Sequence, residues 1–256
     1  MVDKIQAETN FHSNPTIIAA AHPFDKPPAS HRLVLNRGYW HDRDLAQPEL
    51  DYWQILNGKT DNFFYKGLEA WKSALLRGNR IGILAGTDAH GNFNCSRQIA
   101  IPLLKMFRNK QQLLGQTRSG VFMEDRIDRS KLIKHLKEKR VIISNGPAAK
   151  LIVEQNQGIY AIGSSINAHV PFSVAIKAIS TAEFGSLQDI HLFIGNFAEK
   201  QETREIISVE QNVFSHEASM DFPHGLPPGY LRLEAYTSNG LKDRFCLTNP
   251  VWIGQT

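Results

Sequence analysis

Short apolar runs alternate with amphipathic stretches along the first 147 residues of the chain. The apolar runs Thr16–Ala21, Ile81–Ala85 and Val141–Ser144 have the length and composition of buried strands. Between them, Phe64–Arg77 and Ser130–Arg140 carry apolar side chains at helical spacing. An alternation of strands with helices favours a parallel α/β sheet or barrel.

The pattern changes after Pro147, where apolar residues alternate with polar ones. Such alternation covers 172–177, 190–194 and 231–235, and the turn-forming Ser238-Asn239-Gly240 separates the last of these from another apolar run. A period of two residues with turns between segments predicts antiparallel strands and favours a β-sandwich of about 100 residues. The patterning therefore predicts two domains, residues 1–147 and residues 148–256.

Two of the predicted strands end in residues that suit metal ligation. His22-Pro23 follows the first apolar run, and Asp88 and His90 follow the second. In an extended backbone, residues two apart point to the same side, so we expect Asp88 and His90 to converge. Active sites of α/β folds lie at the carboxyl ends of their strands. Imidazole and carboxylate groups at such ends favour a divalent metal, although each of the three residues could instead have an ordinary role in a loop or turn.

The segment 25–61 shows no clear periodicity and is rich in proline and aromatic side chains. A connection this long in a compact domain is often functional, and this one directly follows His22. Two interpretations stay open: the segment walls a substrate pocket, or it is an ordinary packed loop or an oligomer contact.

Composition and charge narrow the class of protein. Apolar residues make up 42% of the chain and charged residues 21%, which is typical of a globular protein. No apolar run approaches the roughly 18–20 residues that span a membrane, and the first residues lack the apolar core of a secretory signal, so we expect a cytoplasmic protein.

The two cysteines, Cys95 and Cys246, are predicted to be buried reduced thiols. The net charge of +4 is modest, and the basic stretch 129–140 fits a solvated helix face, so no nucleic-acid partner is expected.

Four segments of the chain resemble a known family. They are AHP at 21–23, GTDAH at 86–90, RVIISNGP at 140–147 and LTNPVWI at 247–253. The first two resemble the late metal motifs of the PHP (polymerase and histidinol phosphatase) metallohydrolases, and the last two resemble the carbaryl-hydrolase-like branch of that family. The resemblance implies a (β/α)7 barrel. Because the early His-x-His motif is missing and 21 residues precede His22, it implies a partial barrel followed by a β-sandwich module.

The resemblance also implies a chemistry. His22, Asp88 and His90 would be ligands of divalent metal ions, with zinc, manganese or iron all compatible with nitrogen and oxygen ligation. Asp88 could in addition orient the attacking water. The implied activity is metal-dependent hydrolysis of phosphoesters or related ester or carbamate bonds in a small-molecule substrate.

Several alternatives remain at this point. The chain could be a fragment of a longer product, a half-barrel completed by a separate polypeptide, or a degenerate remnant. An incomplete barrel exposes strand edges, so we expect self-association, as a homo-oligomer or with a completing partner. The rival function is a non-catalytic binding module whose β-sandwich recognises a carbohydrate or a protein partner.

Overall fold

The computed structural model describes residues 16–26, 40–89, 113–123, 126, 128–240 and 243–254. Strands hold 45% of these residues and three helices hold 14%. The helices are α1 (Asp42–Leu45), α2 (Asn62–Leu76) and α3 (Arg129–Lys137). The strands are β1 (Ala19–Ala20), β2 (Tyr52–Asn57), β3 (Gly82–Gly86), β4 (Arg118–Val121), β5 (Val141–Ser144), β6 (Ala148–Gln155), β7 (Gly158–Ala161), β8 (Ser165–Asn167), β9 (Phe172–Ile179), β10 (Ser186–Asn196), β11 (Gln201–Ile207), β12 (Ser215–Phe222), β13 (Gly229–Ser238), β14 (Asp243–Thr248) and β15 (Val251–Gly254).

Strands β1, β2 and β3 form a small parallel sheet in that order, which we call the parallel sheet. Parallel neighbours need a crossover connection, and α2 supplies the one between β2 and β3. The helix begins at Asp61, whose Oδ1 accepts the backbone N–H groups of Phe63 at 3.0 Å and Phe64 at 3.2 Å. It ends before Gly78, which adopts a φ of 85° and donates its N–H to the carbonyl of Leu75 at 2.8 Å.

Two further sheets pack against each other in the rest of the chain, and their strand pairs are antiparallel except for β8 with β15, which are parallel. The central sheet has the order β11-β10-β13-β14-β5-β4, with β15 beside β13 and β8 beside β15. The outer sheet has the order β12-β9-β6-β7. Apolar side chains that alternate along the strands of both sheets meet in one buried cluster, which includes Leu151, Val153, Val174, Ile176, Ile190, Leu192, Leu231 and Leu233.

The opposite face of the central sheet is also covered. A second buried cluster joins α2 and the parallel sheet to this face, and it includes Trp53, Leu56, Phe64, Trp71, Leu75, Ile83, Tyr230, Phe245, Leu247 and Trp252. The rings of Phe64 and Phe245 stack at 5.2 Å across the contact. The central sheet is therefore the middle layer of the fold, with apolar packing on both sides.

A buried charge network lies on β13 under α2. The Arg232 side chain is 1% exposed, and its guanidinium lies 5.6 Å from the ring centre of Trp71 and 4.0 Å from that of Phe193. Its Nε and one terminal nitrogen donate to Glu202 at 2.6 and 2.7 Å, and the other terminal nitrogen donates to Glu234. Burial lowers the pKa of Arg232, but the charge of Glu234 and the hydrogen bonds with Glu202 outweigh it and raise the pKa above its ordinary value. Because each of these buried charges has a partner of opposite sign, β13 can lie between two layers although one of its faces carries Arg232 and Glu234.

The predicted partial (β/α)7 barrel is wrong, because the described strands form open sheets and helices are few. The parallel sheet does not continue from β3 into β5, which instead pairs antiparallel with β4 and β14. Asn249 bridges the two strands: its Oδ1 accepts the N–H of Ile83 at 2.8 Å, and its Nδ2 donates to the carbonyl of Val141 at 2.8 Å. Strand and helix alternation does not reveal the direction of β5, because one of its partners, β14, comes from a distant part of the chain.

Most individual elements were predicted correctly within a few residues. The helices expected at 64–77 and 130–140 are α2 and α3, and the strands expected at 81–85, 141–144, 172–177, 190–194 and 231–235 are all present. The strand expected at 16–21 is shorter, covering β1 alone. In the segment 25–61, whose sequence shows no clear periodicity, β2 forms the middle of the parallel sheet.

Strands on both sides of residue 147 share the central sheet, since β4 and β5 pair within it beside β14. The division of the chain at residue 147 stays a prediction. No helix in the described part of the chain is both long and apolar enough to cross a membrane.

Candidate functional site

The three parallel strands end at one edge of their sheet, which we call the carboxyl edge. β1 pairs with β2 through Ala19 and Ala20, and the β2–β3 register runs as far as Asn57 opposite Gly86. His22 lies two residues after the end of β1, and Asp88 lies two residues after the end of β3. Because parallel strands finish at the same edge, the chain brings these two predicted site residues to a common region.

The backbone at both of these residues is unusual. His22 has a φ of 32° and Asp88 a φ of 49°, in the left-handed region that side chains other than glycine rarely adopt. Such backbone is found at functional sites, and in the described chain it also occurs at six other non-glycine residues, all in turns. The extended backbone expected at Asp88 is absent, because β3 ends at Gly86 and the chain turns at Asp88. His90 lies outside the described residues, so the convergence of Asp88 and His90 stays a prediction.

A second carboxylate, Asp25, lies in the turn after His22. The Asp25 backbone N–H donates to the His22 carbonyl at 3.1 Å. Its Oδ2 accepts a hydrogen bond at 2.8 Å from the amide of Asn57, which is the last residue of β2 and is 8% exposed. Gln54 in turn donates to the Asn57 oxygen at 3.2 Å. The middle strand thus supplies a buried amide that orients the Asp25 carboxylate.

Burial raises the pKa of the Asp25 carboxyl above its ordinary value of 3.8 and outweighs the opposing hydrogen bond from Asn57. The charge of His22 lowers this pKa, whereas the charge of Asp61 raises it. A half-buried carboxylate whose anionic form is disfavoured gains from a nearby cation. Asp25 therefore has the electrostatic character of a functional carboxylate.

Asp61 adds a third carboxylate close to Asp25. Its Oδ2 lies 2.9 Å from Nζ of Lys59, and its other oxygen caps α2. Burial raises the pKa of Asp61, but the hydrogen bonds from Lys59 and from the N–H of Phe64 together outweigh it and hold the pKa below its ordinary value. Asp61 thus stays ionised and acts on Asp25 through its charge.

Side chains from β4 and the residues before it fix the end of β3. Thr117 Oγ1 donates to the carbonyl of Gly86 at 2.7 Å. Ser119 Oγ accepts the N–H of Ala85 at 2.9 Å and donates to its carbonyl at 3.0 Å. These hydrogen bonds tie the end of β3 to the segment that leads into β4 and to β4 itself.

The donors at the carboxyl edge fit a divalent metal in chemical type. The imidazole of His22 and the carboxylate of Asp88 are groups that zinc, manganese or iron accept as ligands. Within the ranges that the structure describes, no three His, Cys, Asp or Glu side chains form a group that could hold a metal. His22, Asp25 and Asp88 are all described, so the structure does not bring these three side chains together as a metal site; the third predicted ligand, His90, lies outside the described residues.

The sequence patterns do not single out Asp25 or Asn57. Both fall in the segment 25–61, whose prolines and aromatics masked a strand. The signal was present, because Tyr52-Trp53-Gln54-Ile55-Leu56 is an apolar run of strand length that ends at Asn57. Asn57 therefore follows an apolar run of strand length, as His22 and Asp88 do.

Comparisons with protein-family models and with curated proteins found no match to this chain.

Proposed function

We propose that the chain is a metal-dependent hydrolase that acts at the carboxyl edge on phosphoesters or related ester or carbamate bonds of a small molecule. One observation carries the proposal: His22 and Asp88 follow the two outer strands of one parallel sheet, both with left-handed backbone. Asp25, whose pKa is raised by burial, lies in the turn after His22. The likeness of 21–23 and 86–90 to PHP metal motifs agrees with this chemistry and does not depend on a barrel.

The residues divide into two roles. His22, Asp88 and the predicted ligand His90 hold the metal, with zinc, manganese or iron as candidates. A bound divalent ion would supply a lowered water pKa and neutralise negative charge as the substrate bond breaks. Asp88 also orients the attacking water.

Asp25 is the proposed proton acceptor. Its Oδ2 is engaged by Asn57, so we assign proton transfer from the water to Oδ1. A raised pKa brings a carboxylate closer to the pH at which it works as a general base. Asn57 holds the group in one orientation and thereby acts as a positioning residue.

Chelator-sensitive turnover tests the proposal. Hydrolysis of p-nitrophenyl phosphate and p-nitrophenyl acetate is followed before EDTA treatment, after it, and after zinc or manganese is restored. EDTA and His22→Ala should each abolish turnover, whereas Asp25→Asn should keep the metal and lower kcat by about 10²–10⁴-fold. His216→Ala on β12 and Asp243→Asn on β14 are the matched controls and should leave the rate unchanged. Turnover that survives both EDTA and His22→Ala would refute the proposal.

A further inference from the structure

A cavity of about 260 Å³ lies between α3 and the outer sheet. Its walls come from α3, from the residues after β4, from strand β6 and from the end of β7. Four cationic side chains line it, together with one histidine: Lys131, Lys134, Arg140, Lys150 and His135. No carboxylate belongs to the described lining. The cavity therefore has a strongly one-sided charge.

Nearby carboxylates neutralise part of this charge. Glu138 lies 2.8 Å from Nε of Arg140 and 3.9 Å from Nζ of Lys134. Asp128, at the start of α3, interacts electrostatically with Lys131. These carboxylates stand beside the cavity, whereas its described lining is itself cationic. A concave surface lined with cationic side chains attracts anions.

Lys150 contributes from the outer sheet. It is half-buried on β6, next to Leu151 in the core, and it lies opposite Lys177 in the β6–β9 register. Lys177 itself pairs with Glu217 at 2.6 Å, so the adjacent carboxylate on the sheet is already engaged. The positive charge of Lys150 thus adds to that of α3 across the cavity.

The remaining wall is apolar and is tied to α3. His135 Nδ1 lies 3.0 Å from the carbonyl oxygen of Phe122. A carbonyl can only accept, so Nδ1 carries the proton and Nε2 is the second polar atom of the ring. Phe122, Ile152 and Ala161 supply the accessible apolar surface of the lining. A cavity with cations on one side and apolar surface on the other suits an anionic group attached to a small apolar body.

We propose that this cavity binds a small phosphate monoester, with the phosphate held by Lys131, Arg140 and Lys150 and the ester group against Phe122 and Ile152. The cavity is separate from the carboxyl edge. α3 reaches the parallel sheet at the start of β2, where the Tyr52 hydroxyl donates to the Leu136 carbonyl and Lys137 pairs with Asp51 at 2.8 Å. The strands point away from this end toward His22 and Asp88, so phosphate binding here does not require the metal site.

Calorimetric titration with phenyl phosphate, in EDTA at 150 mM salt, tests the site. One molecule should bind per chain, and inorganic phosphate should bind more weakly by about threefold to tenfold because it lacks the apolar group. Phenol, which lacks the charge, should not bind detectably. Lys150→Met and Lys131→Glu should each weaken phenyl phosphate binding at least tenfold.

Two controls make the outcome decisive. Lys66→Met removes one exposed charge from α2 and should leave the affinity unchanged, and His22→Ala should also leave it unchanged. Thermal unfolding of each variant shows whether it is folded. If Lys150→Met disturbs β6, Lys131→Glu still tests the site, because Lys131 is exposed on α3. Absence of saturable binding, or an equal loss in Lys66→Met, would overturn the proposal. Loss of binding in His22→Ala would assign the phosphate to the carboxyl edge and equally contradict it.

Discussion

Removing Arg232 should test whether the central sheet is truly buried on both faces. The guanidinium is 1% exposed, and its partners Glu202 and Glu234 are 6% and 4% exposed. Arg232→Met keeps much of the apolar stem but leaves two carboxylates without their cation. Breaking a buried ion pair in this way lowers the free energy of unfolding by about 3–5 kcal/mol. Because two carboxylates lose their cation, we expect the upper part of that range.

Urea unfolding followed by tryptophan fluorescence provides the assay, since Trp71 lies against the guanidinium. At pH 7 the free energy of unfolding should fall by about 4–5 kcal/mol, a large share of the roughly 5–15 kcal/mol of a typical domain. The triple variant with Glu202→Gln and Glu234→Gln should be more stable than Arg232→Met alone. A cost below about 1 kcal/mol, or a triple variant less stable than the single one, would refute a buried network.

Three further predictions follow from buried polar groups. Asn249→Ala should lower the free energy of unfolding by about 2–4 kcal/mol in urea titration, because it leaves the buried backbone groups of Ile83 without partners; a loss below about 1 kcal/mol would contradict the bridge. Burial raises the pKa of the Cys246 thiol from 9.0 to about 12, so in a Cys95→Ser background maleimide labelling at pH 8 should be about a thousandfold slower in folded than in urea-unfolded protein. Burial, aided by the charge of Arg204, lowers the pKa of His191 below 6.5. The stability that the neutral imidazole contributes should therefore be present at pH 7.5 and be lost as the pH falls below 6.5. His191→Gln should flatten this part of the urea-stability profile, and an unchanged profile would contradict the assignment.

The strands of the carboxyl-terminal region were predictable because each has a strong local signal. Leu231, Leu233 and Ala235 alternate with polar residues and indeed face the outer sheet. The same alternation suggests solvent for Arg232 and Glu234, yet both lie inside the second buried interface. A strand pattern shows which residues share a face but not what covers that face, because the covering layer comes from α2 and the parallel sheet.

The barrel prediction failed for a related reason. The apolar run Val141–Ser144 fits a parallel strand as well as an antiparallel one, and only its partners decide between them. Those partners are β4 and β14, and Asn249 replaces the backbone pairing that a barrel would require between β3 and β5. The segments 140–147 and 247–253 that carry the family resemblance therefore meet at this junction.

The candidate site was predictable where a polar residue directly follows a recognised strand. His22 and Asp88 satisfy that rule and lie at one edge of the parallel sheet. Asp25 and Asn57 depended on finding β2, and the left-handed backbone at Asp88 depended on where β3 ends. Local patterns locate strand ends well, whereas the geometry beyond those ends depends on the tertiary contacts.

The metal content of the purified protein tests directly whether the carboxyl edge binds a metal ion. The chain and its His22→Ala, Asp88→Ala and His90→Ala variants are purified in parallel and analysed by inductively coupled plasma mass spectrometry, with His216→Ala as the control. We predict zinc, manganese or iron at one or more equivalents per chain in the wild type and the control. The bound metal should be lost in all three ligand variants. Equal metal content in the wild type and the ligand variants, or none in the wild type after dialysis against each ion, would contradict this prediction.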